Sequence, residues 1–375
     1  MKVLWQGFLG SLHSWSIVAQ SLSREFKNNN YDIDLFSTNG IDHFPEDLKE
    51  NLKGYFSSSK MTKHEYIECT SKLLKNYDVQ LSYTAMSNFP NYFSRGSRNR
   101  FGIWCYEFAG KNALPEGFAK NHLFVDKILA PSNNAKEVFI DSNIPENKIT
   151  VIPHGYSESF INRKEKLNIS NKFIFGANIA QPHLRKNIPG ILESWGKAFT
   201  NKDDVCLVFK VSTKITNQPF EVNFNQLLKD FKIKYKNHAE IIVIDKFIED
   251  ISDFYRSCHV IFSMSNAESF LMPALETLVS KKLLICSNYG GQLDFCNDSN
   301  SLLINGKMIR ANPKMLYWQQ KQNTYVFEPD VNDAVEKLRN AYSNYNSILS
   351  KIDFNPIIER YSWSKIFKDI ESLIK

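Results

Sequence analysis

Apolar residues in this chain recur in two rhythms. Short unbroken runs read as buried strands, and stretches at three-to-four spacing read as helices. Val3-Leu4-Trp5 opens a strand predicted over 2–9, with Gly7 near its end and Gly10 after it. Trp15, Val18, Ala19, Leu22 and Phe26 then fall on one helical face, with Ser11 and Ser14 as candidate caps. Further strands are predicted at 33–36, 79–83, 101–105, 127–130 and 149–152, with helices around 62–76, 115–123 and 132–142. Ser132 is placed to cap the last of these. Pro153-His154-Gly155 ends the series, with His154 read as a turn residue, and residues 156–171 are polar and aperiodic, as a linker would be. A second series has strands at 173–176, 205–211, 241–244, 260–262 and 283–286. From about Asp330 the tail is amphipathic, ending in Trp363, Ile366, Phe367, Ile370 and Leu373. Strand–helix alternation, twice over, predicts an α/β protein with two doubly wound parallel sheets, over 1–155 and 172–352.

Length agrees with that division, since 375 residues exceed one ordinary core. Hydrophobic content of 43% and charged content of 23% are those of a globular protein. The absence of a long apolar run argues against a transmembrane helix. The N-terminus enters a strand too early for a signal peptide, so a cytoplasmic location is expected, compatible with peripheral membrane contact. Cys69, Cys105, Cys206, Cys258, Cys286 and Cys296 show no close pairing and read as reduced core residues. Residues 1–155 carry 17 Lys and Arg against 16 Asp and Glu, so most of the net charge of +6 lies further on. That charge suits an anionic small ligand, and it is too small to indicate a nucleic-acid binder.

The densest chemistry lies in Asn266-Ala-Glu-Ser-Phe-Leu-Met-Pro-Ala-Leu-Glu-Thr-Leu278. It follows a predicted strand, and Pro273 can begin a helix because the first turn does not need its missing N–H. Glu268 falls on the loop and Glu276 on the helix. Carboxylates accept hydrogen bonds from sugar and ribose hydroxyls, and helix-start N–H groups suit phosphate. Strand C-terminal ends are where open α/β sheets bind ligands. A sugar nucleotide fits all three.

Four motifs in order carry a family resemblance. They are Glu268–Glu276 as E-x7-E; Ala130-Pro131-Ser132 through Lys148-Ile149-Thr150-Val151-Ile152-Pro153-His154-Gly155; Arg185-Lys186-Asn187; and Tyr289-Gly290-Gly291. On these the chain resembles GT-B glycosyltransferases of the family-4 (group 1) class, closely over 100–300 and loosely before that. The resemblance implies two Rossmann-like, doubly wound lobes facing a central cleft, with the C-terminal helix (353–375) crossing back to the first lobe. It implies a retaining, metal-independent transfer of a sugar from a nucleotide diphosphate sugar to a hydroxyl of a glycan or lipid-linked glycan, with no cofactor.

By the same resemblance Glu276 would bind the ribose and Glu268 the donor sugar. Backbone N–H groups of Phe270, Leu271 and Met272, with Ser269, would face the phosphates or sugar; relatives often carry Gly where this chain has Ser269 and Leu271. Arg185 and Lys186 would neutralise the departing diphosphate, with help from Lys210, since relatives place an arginine where this chain has Ala180. Fixed cations of this kind stabilise the leaving group most in the transition state. Gly10 and Ser11 would close over the diphosphate, His13 would contact sugar or acceptor, and Glu107 would act as an acceptor-side residue or base. The loop at Lys246, Phe247 and Ile248 would read the nucleobase. Phe89, Tyr92 and Phe93 with Arg95, Arg98 and Arg100 read as a surface loop able to hold a glycan. Rival readings are a sugar-nucleotide epimerase of similar fold, a glycosyltransferase acting on modified DNA bases, and a manganese enzyme using Asp32-Ile33-Asp34. The last is disfavoured because Ile33 begins an apolar strand.

Overall fold

The computed structural model describes residues 1–11, 13–56, 77–86, 97–115, 117–213, 220–316 and 323–375. The helix expected around 62–76, Cys69, and Phe89, Tyr92, Phe93 and Arg95 lie outside the described residues. Of that loop's other arginines, Arg98 pairs with Asp78 at 3.9 Å and Arg100 with Asp126 at 3.6 Å. The chain forms two compact units.

The first unit comprises Met1–Tyr106, Leu114–Ser157 and Arg360–Lys375. Its sheet contains β1 (Lys2–Gly7), β2 (Asp32–Ser37), β3 (Leu52–Tyr55), β4 (Val79–Tyr83), β5 (Asn99–Ile103), β6 (Lys127–Ala130) and β7 (Ile149–Val151). All neighbours are parallel in the order β3-β2-β1-β4-β5-β6-β7. Strand order reverses between β1 and β4, which is where a doubly wound sheet opens a crevice. Helix α1 (Ser14–Asn28) buries Val18, Ala19, Leu22 and Phe26. Its cap is His13, whose ring accepts from the Trp15 N–H, rather than Ser11 or Ser14. Helix α2 (Asn133–Asp141) starts as expected on Ser132, which accepts from the Ala135 N–H. The helix expected over 115–123 is only a 3₁₀ turn at Ala119–Phe124. Gly117 sits there at φ +81, a conformation that stops a helix from starting earlier.

The last helix of the chain, which we number α8 (Trp363–Ile374), packs on α1. Phe26 meets Phe367 edge-on at 5.0 Å, and the Tyr31 hydroxyl donates to Glu371 at 2.7 Å. The C-terminal helix thus returns to the first unit.

The second unit comprises Glu107–Ala113 and Glu158–Glu359. Its sheet holds β8 (Phe173–Ala180), β9 (Val205–Val211), β10 (Glu240–Ile244), β11 (Val260–Ser263), β12 (Leu283–Ser287) and β13 (Leu302–Ile304). They run parallel in the order β10-β9-β8-β11-β12-β13. Strands buried on both faces need continuous apolar runs, which is why β9 from Val205 to Phe209 and β12 from Leu283 to Cys286 read as unbroken hydrophobic stretches. Helices α3 (Ile188–Ala198), α4 (Phe224–Lys234), α5 (Ser252–Ser257), α6 (Met272–Val279) and α7 (Val331–Ser343) accompany the sheet. Phe175, Trp195, Phe199, Phe209 and Phe262 centre its core. Here the strand order reverses between β8 and β11. The antiparallel pair β14 (Gly306–Arg310) and β15 (Tyr325–Pro329) adds a short ribbon.

Two details were not expected. Residues 107–113 leave the first sheet and belong to the second unit, where Ala109 and Tyr325 exchange backbone hydrogen bonds at 3.0 and 2.8 Å. The polar stretch after 156 is not bare linker, because Ser159–Asn162 form a helical turn within the second unit. The Arg256 guanidinium fixes that turn by donating to the Ser159 and Phe160 carbonyls.

Candidate active site

Three loops of the second unit meet where β8 and β11 end. The first carries Arg185 and Lys186 on a 3₁₀ turn (Leu184–Lys186) after β8. Its entry is capped by His183, which accepts from the Arg185 N–H and stacks on Phe220 at 4.7 Å. Asn187 adopts a left-handed conformation (φ 50, ψ 47) and caps α3 by accepting from the Gly190 N–H. A side chain at Gly190 would collide with Asn187, so Asn and Gly form one device that turns the chain sharply after Lys186. The second loop, after β11, carries Glu268. Its Asn266 N–H donates to the Arg185 carbonyl at 2.7 Å, and the Asn266 amide donates to the Phe327 carbonyl at 2.7 Å. The Gly291 N–H donates to the Glu268 carbonyl at 3.0 Å. The third loop brings Glu107.

These anchors bring four charges together. Glu268 Oε1 lies 2.8 Å from Arg185 Nη1 and 2.6 Å from Lys186 Nζ. Arg185 Nη2 is 3.7 Å from Glu107 Oε1, and Nη1 also donates to the Ala267 carbonyl at 3.2 Å. All four side chains are largely shielded from solvent. Burial by itself would raise the Glu268 pKa, but the Arg185 and Lys186 charges outweigh it and hold the carboxyl at about 2. Burial lowers the Lys186 pKa, opposed by Glu268. For Glu107, burial dominates and raises the pKa; Arg185 opposes it and Glu268 adds to it. The His183 ring, buried and beside both cations, is pushed down to about 3 and stays neutral. The cluster is thus an ionised carboxylate clamped between two cations, with a second carboxylate at its edge.

Glu276 is in different company. It lies on α6 and is buried, and its Oε2 accepts a short hydrogen bond from the Tyr255 hydroxyl of α5. Asn178 of β8 donates to the same hydroxyl at 3.0 Å. Among the described residues no cation pairs with Glu276, and burial pushes its carboxyl up to about 7; the Tyr255 hydrogen bond opposes this and Asp250 adds to it. The segment between the two glutamates is tightly packed. Ser269, Phe270 and Leu271 are buried, Phe270 tilts against Phe295 at 5.2 Å, and Met272 begins α6. Leu271 is left-handed (φ 61), which costs a non-glycine residue about 1–2 kcal/mol. This is one of the two positions where the resembling family often has Gly.

The other expected residues make local contacts of their own. Lys210 lies one residue before the end of β9, opposite Asn178 and Ile244 in register. Burial lowers its pKa and Asp245 opposes that. Ala180, at the position where the resemblance leads one to expect an arginine, is left-handed (φ 54) at an irregularity where β8 meets β9. Phe247 is 65% exposed and Ile248 half-buried. In the first unit, the Gly10 N–H donates to Asn39 at 3.1 Å, and a side chain at Gly10 would collide with the Gly40 backbone. Ser11 meets the Ser16 hydroxyl at 2.8 Å. His154, read from the sequence as a turn residue, is packed inside the first unit. It is buried, 3.2 Å from the Tyr83 hydroxyl, and its pKa is lowered to about 3 by burial.

Solved structures share this architecture. The chain superposes on a glycosyltransferase from Rickettsia africae ESF-5 with a TM-score of 0.73 at 17% identity, covering 100% of this chain and 97% of that one. Anabaena HepE in complex with UDP and glucose gives a TM-score of 0.71 at 11% identity, covering 100% and 99%. The chain has the GT-B fold. The lipopolysaccharide outer core galactosyltransferase WaaB gives a TM-score of 0.66 at 14% identity, covering 100% and 99%. In sequence, the chain is 22% identical over 260 residues to a Sulfolobus islandicus filamentous virus protein provisionally named glycosyltransferase 45, covering 68% of each. No family model matches the chain. No described helix is long and apolar enough to cross a membrane.

Sequence reasoning selected Arg185, Lys186, Glu268 and Glu276, and it proposed Glu107 without its neighbour. It missed Tyr255, Asn178 and His183. Tyr255 lies in Asp253-Phe254-Tyr255, a stretch that reads as helix core, so its hydroxyl gave no signal. His183 could have been found from its place one turn before the basic pair.

Proposed function

We propose that this protein is a retaining, metal-independent glycosyltransferase that moves a sugar from a nucleotide diphosphate sugar to a hydroxyl of a glycan or lipid-linked glycan. The observation that carries the reading is the clamp of Arg185 and Lys186 on Glu268 where β8 and β11 end, with Glu276 on the helix that follows. A diphosphate leaving group gains negative charge as the glycosidic bond breaks. Two cations already fixed in a largely dehydrated loop can meet that charge without reorganising, so transition-state stabilisation needs no divalent ion. Glu268 holds both cations in register before the donor arrives and can accept hydrogen bonds from the sugar. Glu276 accepts from the ribose. A UDP-sugar is the first donor to test, because HepE binds UDP and glucose, and a glycolipid the first acceptor, because WaaB is a lipopolysaccharide galactosyltransferase.

The test is thermal shift and transfer with UDP-, GDP- and ADP-sugars, with and without chelator. The expected result is stabilisation by one nucleotide diphosphate, lost in Glu276→Ala, and transfer that survives the chelator. Lys186→Ala should lower kcat by about 10²–10³. An anomeric proton coupling in the product that matches the donor's configuration would support retention. The reading fails if no nucleotide diphosphate stabilises the protein, or if Glu276→Ala leaves stabilisation unchanged.

A further inference from the structure

We propose that Tyr255, itself oriented by Asn178, is a positioning residue that fixes the carboxylate of Glu276 for the nucleotide ribose. This rests on the ribose-binding reading of Glu276 given above. Tyr255 is fully buried at 0% exposure on α5, and Glu276 is 8% exposed on α6. The Asn178 amide donates to the phenolic oxygen at 3.0 Å, which leaves the hydroxyl hydrogen to point at Glu276 Oε2. Burial keeps the phenol protonated, so it is a donor at every working pH. Among the described residues nothing donates to Glu276 Oε1. One oxygen is therefore tied to the protein and the other is left for a sugar hydroxyl. The three residues come from β8, α5 and α6, so the chain of hydrogen bonds ties the carboxylate to the sheet itself.

The arrangement also sets when the carboxylate is charged. Glu276 sits at about 7 because burial disfavours its charge; Tyr255 pulls it down and Asp250 pushes it up. The buried Cys258 thiol near Tyr255 is pushed up by burial and stays neutral, and other ionisable groups on the neighbouring elements have partners of their own or are buried. Asp253 accepts from Arg163, Arg256 holds the Ser159 and Phe160 carbonyls, and Cys286 is buried in β12. Ribose hydroxyls donate, so they favour the ionised form. Nucleotide affinity should then rise about tenfold from pH 6 to pH 8, as the free carboxyl ionises. Removing the phenolic donor should move that midpoint upward.

The experiment is calorimetric titration of the full chain with UDP, GDP and ADP, and then with the 2′-deoxy form of whichever binds, from pH 6 to pH 9. Wild type, Tyr255→Phe, Asn178→Ala, Glu276→Gln and Glu276→Ala are compared, and Glu276→Gln removes the nucleotide's own titration from the profile. Tyr255→Phe should weaken the ribonucleotide about fivefold at pH 7. The loss should shrink at pH 9 and nearly vanish with the deoxynucleotide. Asn178→Ala should shift the profile the same way by less, and it answers the question alone if Tyr255→Phe does not fold. An equal loss at every pH and with both nucleotides, or no loss, overturns the positioning role. If Glu276→Ala binds as tightly as wild type, the ribose reading itself falls.

Discussion

Glu268 and Glu276 belong to one short motif, are both buried, and are held in opposite electrostatic states. Glu268 on its loop is enclosed by Arg185 and Lys186 and is kept ionised down to about pH 2. Glu276, one turn into the helix that follows, has a tyrosine and an asparagine for company, and burial pushes its carboxyl up to about 7. Burial pushes both in the same direction. Neighbouring charge decides the difference: cations in the loop reverse the push, and one neutral hydrogen bond on the helix only moderates it. A diphosphate leaving group needs fixed positive charge, whereas a ribose needs an oriented acceptor.

The contrast breaks most severely at Glu268. Glu268→Ala leaves Arg185 and Lys186 crowded together without their shared counter-ion. Removing one partner of a buried ion pair costs about 3–5 kcal/mol. Chemical denaturation at pH 7 should show a loss of that order, and transferase activity should fall with it. The sign with pH follows from the depressed carboxyl. The stability Glu268 contributes is fully present above its ordinary carboxylate pKa of 4.5 and is lost as pH falls through about 2. The mutant's deficit should therefore narrow only in strong acid. A deficit under 1 kcal/mol at pH 7 would mean that the cations are held by something other than Glu268.

At Glu276 the sign is reversed. Between 4.5 and about 7 the folded protein binds a proton that the unfolded chain has released. Folding stability contributed by this residue therefore falls as pH rises through that window. Glu276→Gln cannot ionise, and its amide oxygen still accepts from Tyr255. It should match wild type at pH 4.5 and exceed it by up to about 3 kcal/mol at pH 8, while binding nucleotide less well. Denaturation at the two pH values checks it. Parallel curves for mutant and wild type would show that Glu276 is ionised in the fold at neutral pH.

Much of this was legible in the sequence, and the illegible part has one cause. Doubly buried stretches such as Val205–Phe209 leave unbroken apolar runs, and the loops that follow β8 and β11 carry their charges openly. The pairing of Arg185 and Lys186 with Glu268 follows once those two strands are neighbours. What could not be read is whatever depends on residues brought from elsewhere. Glu107 reaches Arg185 because 107–113 leave one sheet for the other unit, and no local pattern marks that departure. Tyr255 and Asn178 look like core and strand residues, and only their meeting with Glu276 gives the hydroxyl and amide a task. The seven-residue spacing of the glutamates therefore predicted their places but not their charge states.

The smallest test acts on the backbone beneath the Glu268 side alone. Gly290 has φ 111 and ψ −173, a region essentially closed to other residues. A side chain there would press on the Gln292 side chain and on the Glu268 carbonyl oxygen. Gly291, next in the chain, donates to that same carbonyl at 3.0 Å. Gly290→Ala should therefore cost about 1–3 kcal/mol and tilt the loop that carries Glu268, leaving α6 and the Tyr255–Glu276 bond in place. Transfer should slow while the pH midpoint of nucleotide binding stays where it is in wild type. A shifted midpoint would mean that the two glutamates move as one body, and the distinction between loop and helix would then be one of charge only.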